Sequence, residues 1–340
     1  MVVSPAEITE RFRTGASFAD SEAELLLDAL IVSEDEKGLT DLFVAWNEKG
    51  ITADEIYALA KILRERSIKV HSQHKTFVDI VGTGGSSSKT FNVSTAAAFV
   101  AAGAGVPVAK HGNRAATSSS GSSDVLAELD VKPDVEPHVA ETCLNELGIC
   151  FMYAPKHHRL SPTLARVRRG LGFPTIFNCV GPLSNPADVP FQVVGVWNSK
   201  IVPVMSQALS RLGTTKSWIV NGYDNLDEIS MNGKTIVYEV SDGKATSFNV
   251  SSSDVGIDNY SNDLPRNSSS QESARIIRQI LNNEMKGSDA EKLVALNAAA
   301  AIYVTGKESN LMSAFEAAIE SIRSGNAANK LAAISEMTMK

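Results

Sequence analysis

The chain has 340 residues, of which 43% are hydrophobic and 21% charged, with a net charge of −7; this suffices for one large domain or two unequal ones around a sizeable core. The acidic balance argues against nonspecific nucleic-acid binding, and no apolar run reaches the ~20 residues needed to span a bilayer. Three cysteines without a C-x-x-C pairing argue against a disulfide framework or a structural zinc site. Together with the start "MVVSPAEITERF", which lacks the basic and apolar segments of a secretory signal, they point to a reducing cytoplasm.

The first seventy residues read as helices. Ser4-Pro5-Ala6-Glu7 has the form of a capping box with proline at the first helical position. Ser21 with Glu24, and Thr52 with Glu55, repeat the signature. Ile56, Leu59, Ala60 and Leu63 then form a stripe at helical spacing. A small helical domain over 1–72 is expected, joined by a helical segment near 161–190.

From Phe77 the pattern alternates. "FVDIV" and "VPVAK" read as strands framing the helical "STAAAFVAAGAG"; helices follow near 122–130 and 137–147, then the strand "ICFMYA". "FQVVGVW", "KSWIVNG" and "KTIVYEV" are further strands, and "SKIVPVMSQALSRLG" is a helix between the first two. "SDGKATSFNVSSSD" holds a hairpin strand and a loop, and the last third, including the alanine-rich 288–305, is helical. Such alternation predicts a large α/β domain over 73–340 with a mainly parallel central sheet.

Ligands in open α/β sheets sit beyond the C-terminal strand ends, and two loops there stand out. "GTGGSSSKTFNVST" follows the first strand and "KHGNRAATSSSGSSD" the second. The P-loop pattern fails in the first, because Lys89 follows Ser88 and Thr83 stands where the earlier glycine belongs. The G-x-G-x-x-G pattern starts at Gly82 and Gly84 but ends on Ser87. Each loop nevertheless runs into a helix start, where free N–H groups and the helix dipole favour phosphate. Asn92, Ser94 and Thr95 are candidates to cap the first helix. No Asp or Glu occurs between Asp79 and Asp124, or between Glu146 and Asp188, although these windows hold Lys110, Arg114, Arg168 and other basic residues. That distribution marks a pocket for an anion.

Asp227 and Glu228, beyond the strand "KSWIVNG", are hard oxygen ligands suited to Mg²⁺ shared with substrate phosphates. In the helix opened by Ser161-Pro162, a rotation of about 100° per residue places Arg168 beside Leu164, Val167 and Leu171, with Arg166 and Arg169 pointing away. An inward arginine needs an acceptor, and a ligand carboxylate fits its fork. Among the histidines, the loop singles out His111; His157 and His158 read as shaping a connection.

The segments "GTGG", "TFNVSTAAAFVAAGAGVPVAKHGNR", "GSSDVL", "APKHH", "VRRGLG", "TIFNCVGPLSNP" and "LDEIS" together resemble the anthranilate phosphoribosyltransferase family, over nearly the whole chain. The resemblance implies a nucleoside phosphorylase-like fold and a homodimer. It further implies transfer of phosphoribose from phosphoribosyl pyrophosphate to the amine of anthranilate, with Mg²⁺, two ions per monomer. By motif it implies that Gly82, Gly85, Ser86, Thr90, Asn92, Val93, Ser94 and Thr95 hold the pyrophosphate donor. Lys110, His111, Gly112, Asn113, Arg114, Ala115, Ala116, Thr117, Ser118 and Ser122 would complete the donor site. Anthranilate would meet Gly82, Asn113, Arg168, His111 and Pro182, and metal would meet Ser94, Asp227 and Glu228. The chain departs from many relatives at Ser86, where they carry Asp, and at Ser119, where they carry Lys or Arg. Alternatives are a pyrimidine nucleoside phosphorylase, which would need no acidic metal pair, and a noncatalytic nucleic-acid binder, which would show a basic face.

Overall fold

The computed structural model describes residues 4–86, 90–114, 120–261 and 264–339. Four helices open the chain: α1 (Pro5–Arg13), α2 (Ala23–Val32), α3 (Glu36–Lys49) and α4 (Ala53–Arg66). Thr52 caps α4 as its sequence predicts, accepting from Glu55 N–H at 3.3 Å while Glu55 Oε2 accepts from Thr52 N–H at 3.0 Å. Ser21 does not cap α2. It lies in a 3₁₀ turn, Asp20–Glu22, because Glu22 is drawn back to Ala19 N–H (2.7 Å) and to Arg11 (2.8 Å).

The α/β region begins with β1 (Val78–Gly82), α5 (Val93–Gly103), β2 (Val108–Gly112), α6 (Ser122–Glu128) and α7 (Pro137–Thr142). A π-helical turn, Cys143–Leu147, leads to β3 (Ile149–Tyr153), followed by α8 (Ala154–His157), α9 (Pro162–Gly170) and α10 (Ile176–Val180). Next come β4 (Phe191–Gly195), α11 (Val202–Arg211), β5 (Lys216–Asn221), and the hairpin β6 (Thr235–Ser241) and β7 (Lys244–Val250). Helices α12 (Ser270–Leu281), α13 (Asp289–Val304), α14 (Leu311–Arg323) and α15 (Asn326–Met339) close the chain. None of the described helices is long and apolar enough to cross a membrane.

The strands form one seven-stranded sheet in the order β3-β2-β1-β4-β5-β6-β7. The first five are parallel and the last two antiparallel, with Val78 opposite both Val108 and Phe191. The chain therefore leaves β1 toward β2 and β3, then returns to β4 on β1's other side. The C-terminal end of β1 is the switch point where such sheets open a crevice.

Two cores flank the sheet. On one face α5 and α13, rich in alanine, bury almost every side chain, because small residues let these helices lie close to the strands. On the other face α1–α4, α9, α10 and α11 share a core that includes Val81, Val194 and Ile219 of the sheet. Phe43 of α3 meets Phe177 of α10 edge-on at 6.1 Å. In this way α9 and α10 are set between the N-terminal helices and the ends of the strands.

Candidate active site

At the end of β1 a cavity of about 170 Å³ opens between the two glycine- and serine-rich loops. Its walls include Gly82, Thr90, Asn92, Ser94, Lys110, His111, Gly112, Asn113, Ser122, Asp227 and Glu228, all expected from the sequence. Thr83, Gly84, Phe91, Ser120 and Gly121 also line it; among these, Thr83 and Phe91 gave no signal, being a small polar and an apolar residue inside a turn-rich stretch. Val93 and Thr95, fully buried beneath the first turn of α5, do not line it. Gly85 stands over Pro174, Ser86 donates to the Asn225 carbonyl at 3.0 Å, and the Arg114 guanidinium lies 5.9 Å from the Tyr153 ring. Ala115, Ala116, Thr117, Ser118 and Ser119 lie outside the described residues. Asn92 does not cap α5 with its side chain, as the sequence suggests; its Oδ1 accepts from Ser120 Oγ at 2.8 Å, which ties the two loops together.

The basic side of this cavity is Lys110. Its buried ammonium donates to the Ile80 carbonyl and, at 3.2 Å, to Ser94 Oγ. Burial pulls its pKa to about 8, while Asp79 and Glu228 pull the other way, so it is still protonated at neutral pH. Asp79 sits beneath it, accepting from Asn185 Nδ2 at 2.7 Å and from His111 N–H at 3.2 Å. Burial raises this carboxyl to about 6, against the nearby Lys110.

The acidic side is carried in by missing side chains. A β-carbon on Gly195, at the end of β4, would lie 1.7 Å from the Asp227 carbonyl oxygen, and one on Gly222 would lie 2.4 Å from that of Glu228. Glycine at these two positions lets the 222–228 segment cross the strand ends closely enough to bring Asp227 against Gly82. No group of three or more His, Cys, Asp or Glu suited to a metal occurs among the described residues. Two adjacent carboxylates with the Ser94 hydroxyl across the cavity suit Mg²⁺, which commonly takes one or two protein carboxylates and completes its shell with phosphate oxygens and water.

A second cavity, of about 190 Å³, joins the first. Both are lined by Gly82, Thr83, Gly84, His111, Gly112 and Asn113. Its remaining walls come from α4, α8, α9, α10 and the segments that follow α8 and α10, and include His158, Leu160, Arg168, Phe177, Asn178 and Pro182. On α9 Leu164 and Val167 are buried, Leu171 just beyond its end is half-buried, and Arg168 faces inward as the periodicity requires. Its guanidinium lies 5.0 Å over the Phe177 ring, its Nε has no hydrogen-bond partner, and it forms no ion pair among the described residues. Burial lowers its pKa only to about 10, so it stays charged. Arg166 and Arg169 are exposed, and Arg166 pairs with Glu36 at 2.9 Å.

His111 and His158 meet edge-on with ring centroids 5.1 Å apart, and His111 Nε2 is buried without a partner. Burial, then the neighbouring histidines, hold His111 well below the usual histidine range; burial and His157 take His158 to about 4. Both rings are neutral at pH 7, which leaves Arg168 as the charged group among the described walls of this cavity. His158 reads as a connector in the sequence because nothing local indicates that its ring, just past α8, meets His111 of β2.

The chain's residues 74–328 match the model of the glycosyl transferase family, a/b domain. Over 326 residues the chain is 40% identical to the anthranilate phosphoribosyltransferase of Natronomonas pharaonis, covering 96% of this chain and 97% of that one. Its structure is similar to that of anthranilate phosphoribosyltransferase from Thermus thermophilus, with a TM-score of 0.86 and 34% identity over 98% of this chain and 99% of the other. It is also similar to the Saccharomyces cerevisiae enzyme in complex with PRPP and Mg, with a TM-score of 0.88 and 26% identity over 98% of each chain.

Proposed function

Because this chain belongs to the anthranilate phosphoribosyltransferase family, we propose that its two joined cavities divide the substrates, the phosphoribosyl donor in the first and anthranilate in the second. The enzyme transfers the phosphoribosyl group of 5-phosphoribosyl 1-pyrophosphate to the amine of anthranilate, giving N-(5-phosphoribosyl)anthranilate and pyrophosphate, a step of tryptophan biosynthesis. It uses Mg²⁺. The observation that carries the division is the shared wall: Gly82–Gly84 and His111–Asn113 border both cavities, so two ligands there would meet at one seam.

The bond between the ribose carbon and the pyrophosphate oxygen breaks as the carbon–nitrogen bond forms. Negative charge grows on the leaving group, and the protonated Lys110 with the amides at Gly84 and the start of α5 would stabilise it. Asp227, Glu228 and Ser94 would hold Mg²⁺, which would supply further neutralisation of the pyrophosphate charge. Arg168 would hold the anthranilate carboxylate, with Asn113, His111 and Pro182 beside the ring. An aromatic amine keeps its lone pair at neutral pH and attacks without prior deprotonation. The proton it sheds after the carbon–nitrogen bond forms is acidic enough to pass to water or the departing pyrophosphate. No strong base is therefore needed, in keeping with two imidazoles that burial makes weak bases.

Two metal ions per monomer, a homodimer, a cytoplasmic setting and the absence of nucleic-acid or membrane partners belong to the same proposal. So does the division of the chain into 1–72 with 161–190 as a small helical domain and 73–340 as the large one; α9 and α10 do pack with the N-terminal helices, in a core that α11 and the sheet also join. The test is a fluorescence assay of anthranilate consumption. Loss of signal should require both phosphoribosyl pyrophosphate and Mg²⁺, and consumption without the donor would overturn the reading.

A further inference from the structure

Asn178 lines the acceptor cavity without an assigned role, and both ends of its buried amide are committed. Oδ1 accepts from Thr175 N–H at 2.9 Å at the start of α10, and Nδ2 donates to the Thr83 carbonyl at 2.9 Å. Thr83 is tied on its other side: its N–H and hydroxyl donate to the Gly195 carbonyl at 2.8 and 3.0 Å, and its Oγ1 accepts from Trp197 N–H at 3.2 Å. The next residue, Gly84, is a glycine with open space on its side-chain face. A β-carbon there would meet nothing within 4 Å, and its φ of +67° lies in a region where glycine alone moves freely.

The Thr83–Gly84 peptide is a rigid trans plane, so the Gly84 N–H leaves the edge opposite the Thr83 carbonyl. Asn178 lines the acceptor cavity, whereas Thr83 and Gly84 line both. We propose that Asn178 is a positioning residue that pins the Thr83 carbonyl against α10 and thereby aims the Gly84 amide at the pyrophosphate of the donor. It couples the acceptor wall to the donor loop. The proposal rests on the assignment of the donor to the first cavity. Without the pin, the peptide beside a glycine, which meets no β-carbon penalty on turning over, is free to reorient, and the donor loses one backbone hydrogen bond.

The test is calorimetric titration of the wild type and Asn178→Ala with phosphoribosyl pyrophosphate and with pyrophosphate, each with Mg²⁺. Both dissociation constants should rise about tenfold in the variant, the size of one hydrogen bond to a charged group, while the stoichiometry stays that of the wild type. A role in folding alone would instead lower the stoichiometry at an unchanged dissociation constant, and that result overturns the proposal. A second measurement needs no variant: with [¹⁵N]glycine-labelled wild type, the Gly84 amide resonance should shift on adding Mg²⁺ and pyrophosphate. A Gly84 signal that ignores the ligand also overturns it. If the wild type binds the donor and Asn178→Ala binds it equally well, only this inference fails; if the wild type does not bind the donor, the assignment of the cavity fails first and this inference with it.

Discussion

Gly82 and Asp227 touch across the floor of the donor cavity: a β-carbon on Gly82 would stand 3.0 Å from Asp227 Oδ2. A methyl group there must push the carboxylate aside. Gly82→Ala should raise the Mg²⁺ concentration for half-maximal activity about tenfold, a loss comparable to one interaction with a charged group. Gly84→Ala meets no neighbour but is strained at φ +67°, so it should cost stability of about 1–2 kcal/mol and leave the Mg²⁺ requirement in place. Magnesium titrations of the two variants would separate these outcomes, and equal shifts would refute the contact.

Replacing Asp227 and Glu228 together with Ala should lower turnover by roughly a hundredfold or more, the scale on which lost electrostatic stabilisation is felt in kcat. Both residues lie in the segment beyond β5, whose backbone is set by Gly195 and Gly222, so the thermal unfolding midpoint should change little. Full activity in the double variant, or in excess chelator, would rule out the metal role.

Arg168 points into the acceptor cavity with Nε unpartnered, which is costly for a buried guanidinium unless a ligand answers it. Arg168→Ala should reduce kcat/KM for anthranilate by about tenfold to a hundredfold, corresponding to roughly 1.5–3 kcal/mol for a hydrogen bond to a charged group. The donor KM should barely move. Arg169→Ala, one residue further along and exposed, should be nearly silent. Steady-state kinetics of the pair decides: indistinguishable variants would remove Arg168 from the acceptor site.

His158 titrates at about 4 in the fold and at 6.5 ordinarily, and burial holds His111 low as well. Between those values the unfolded chain binds more protons, so stability present above about pH 6.5 is lost as pH falls toward 4. Asp79, raised by burial from 3.8 to about 6, acts oppositely, and its contribution is lost as pH rises through that window. His158→Gln removes one histidine contribution. Its urea midpoint should therefore fall less steeply from pH 6.5 to 4 than that of the wild type, and an equal or steeper fall would contradict the buried neutral ring.

The order of helices and strands was readable from the chain because each depends on neighbours a few residues away: capping at Thr52, the short apolar run in "FVDIV", alanine in α5 and α13. The charge pattern was readable for a related reason. Segments that must accept anions hold no carboxylate, and both acid-free windows supply walls of the joined cavities. Arg168 was readable because helical rotation alone turns it inward. Local pattern failed where a side chain had a better partner elsewhere, as with Glu22 on Arg11 in place of a Ser21 cap, and Asn92 on Ser120 in place of a cap on α5.

Tertiary structure decided what meets what. The strand order places β1 between β2 and β4, so the two phosphate-type loops become adjacent while the acidic segment arrives from β5 on the other side. Its approach depends on glycines at 195 and 222, whose effect is visible only once the crossing backbone is in place. His158 and Asn178 belong to the site for the same reason: α10 is held by packing against α3 and α4 and α8 by packing against β3, which brings His158 to His111, and no pattern within their own few residues records those contacts. Sequence determined which chemical groups the chain possesses and which elements present them; the sheet's crossover at β1 determined that they face one another.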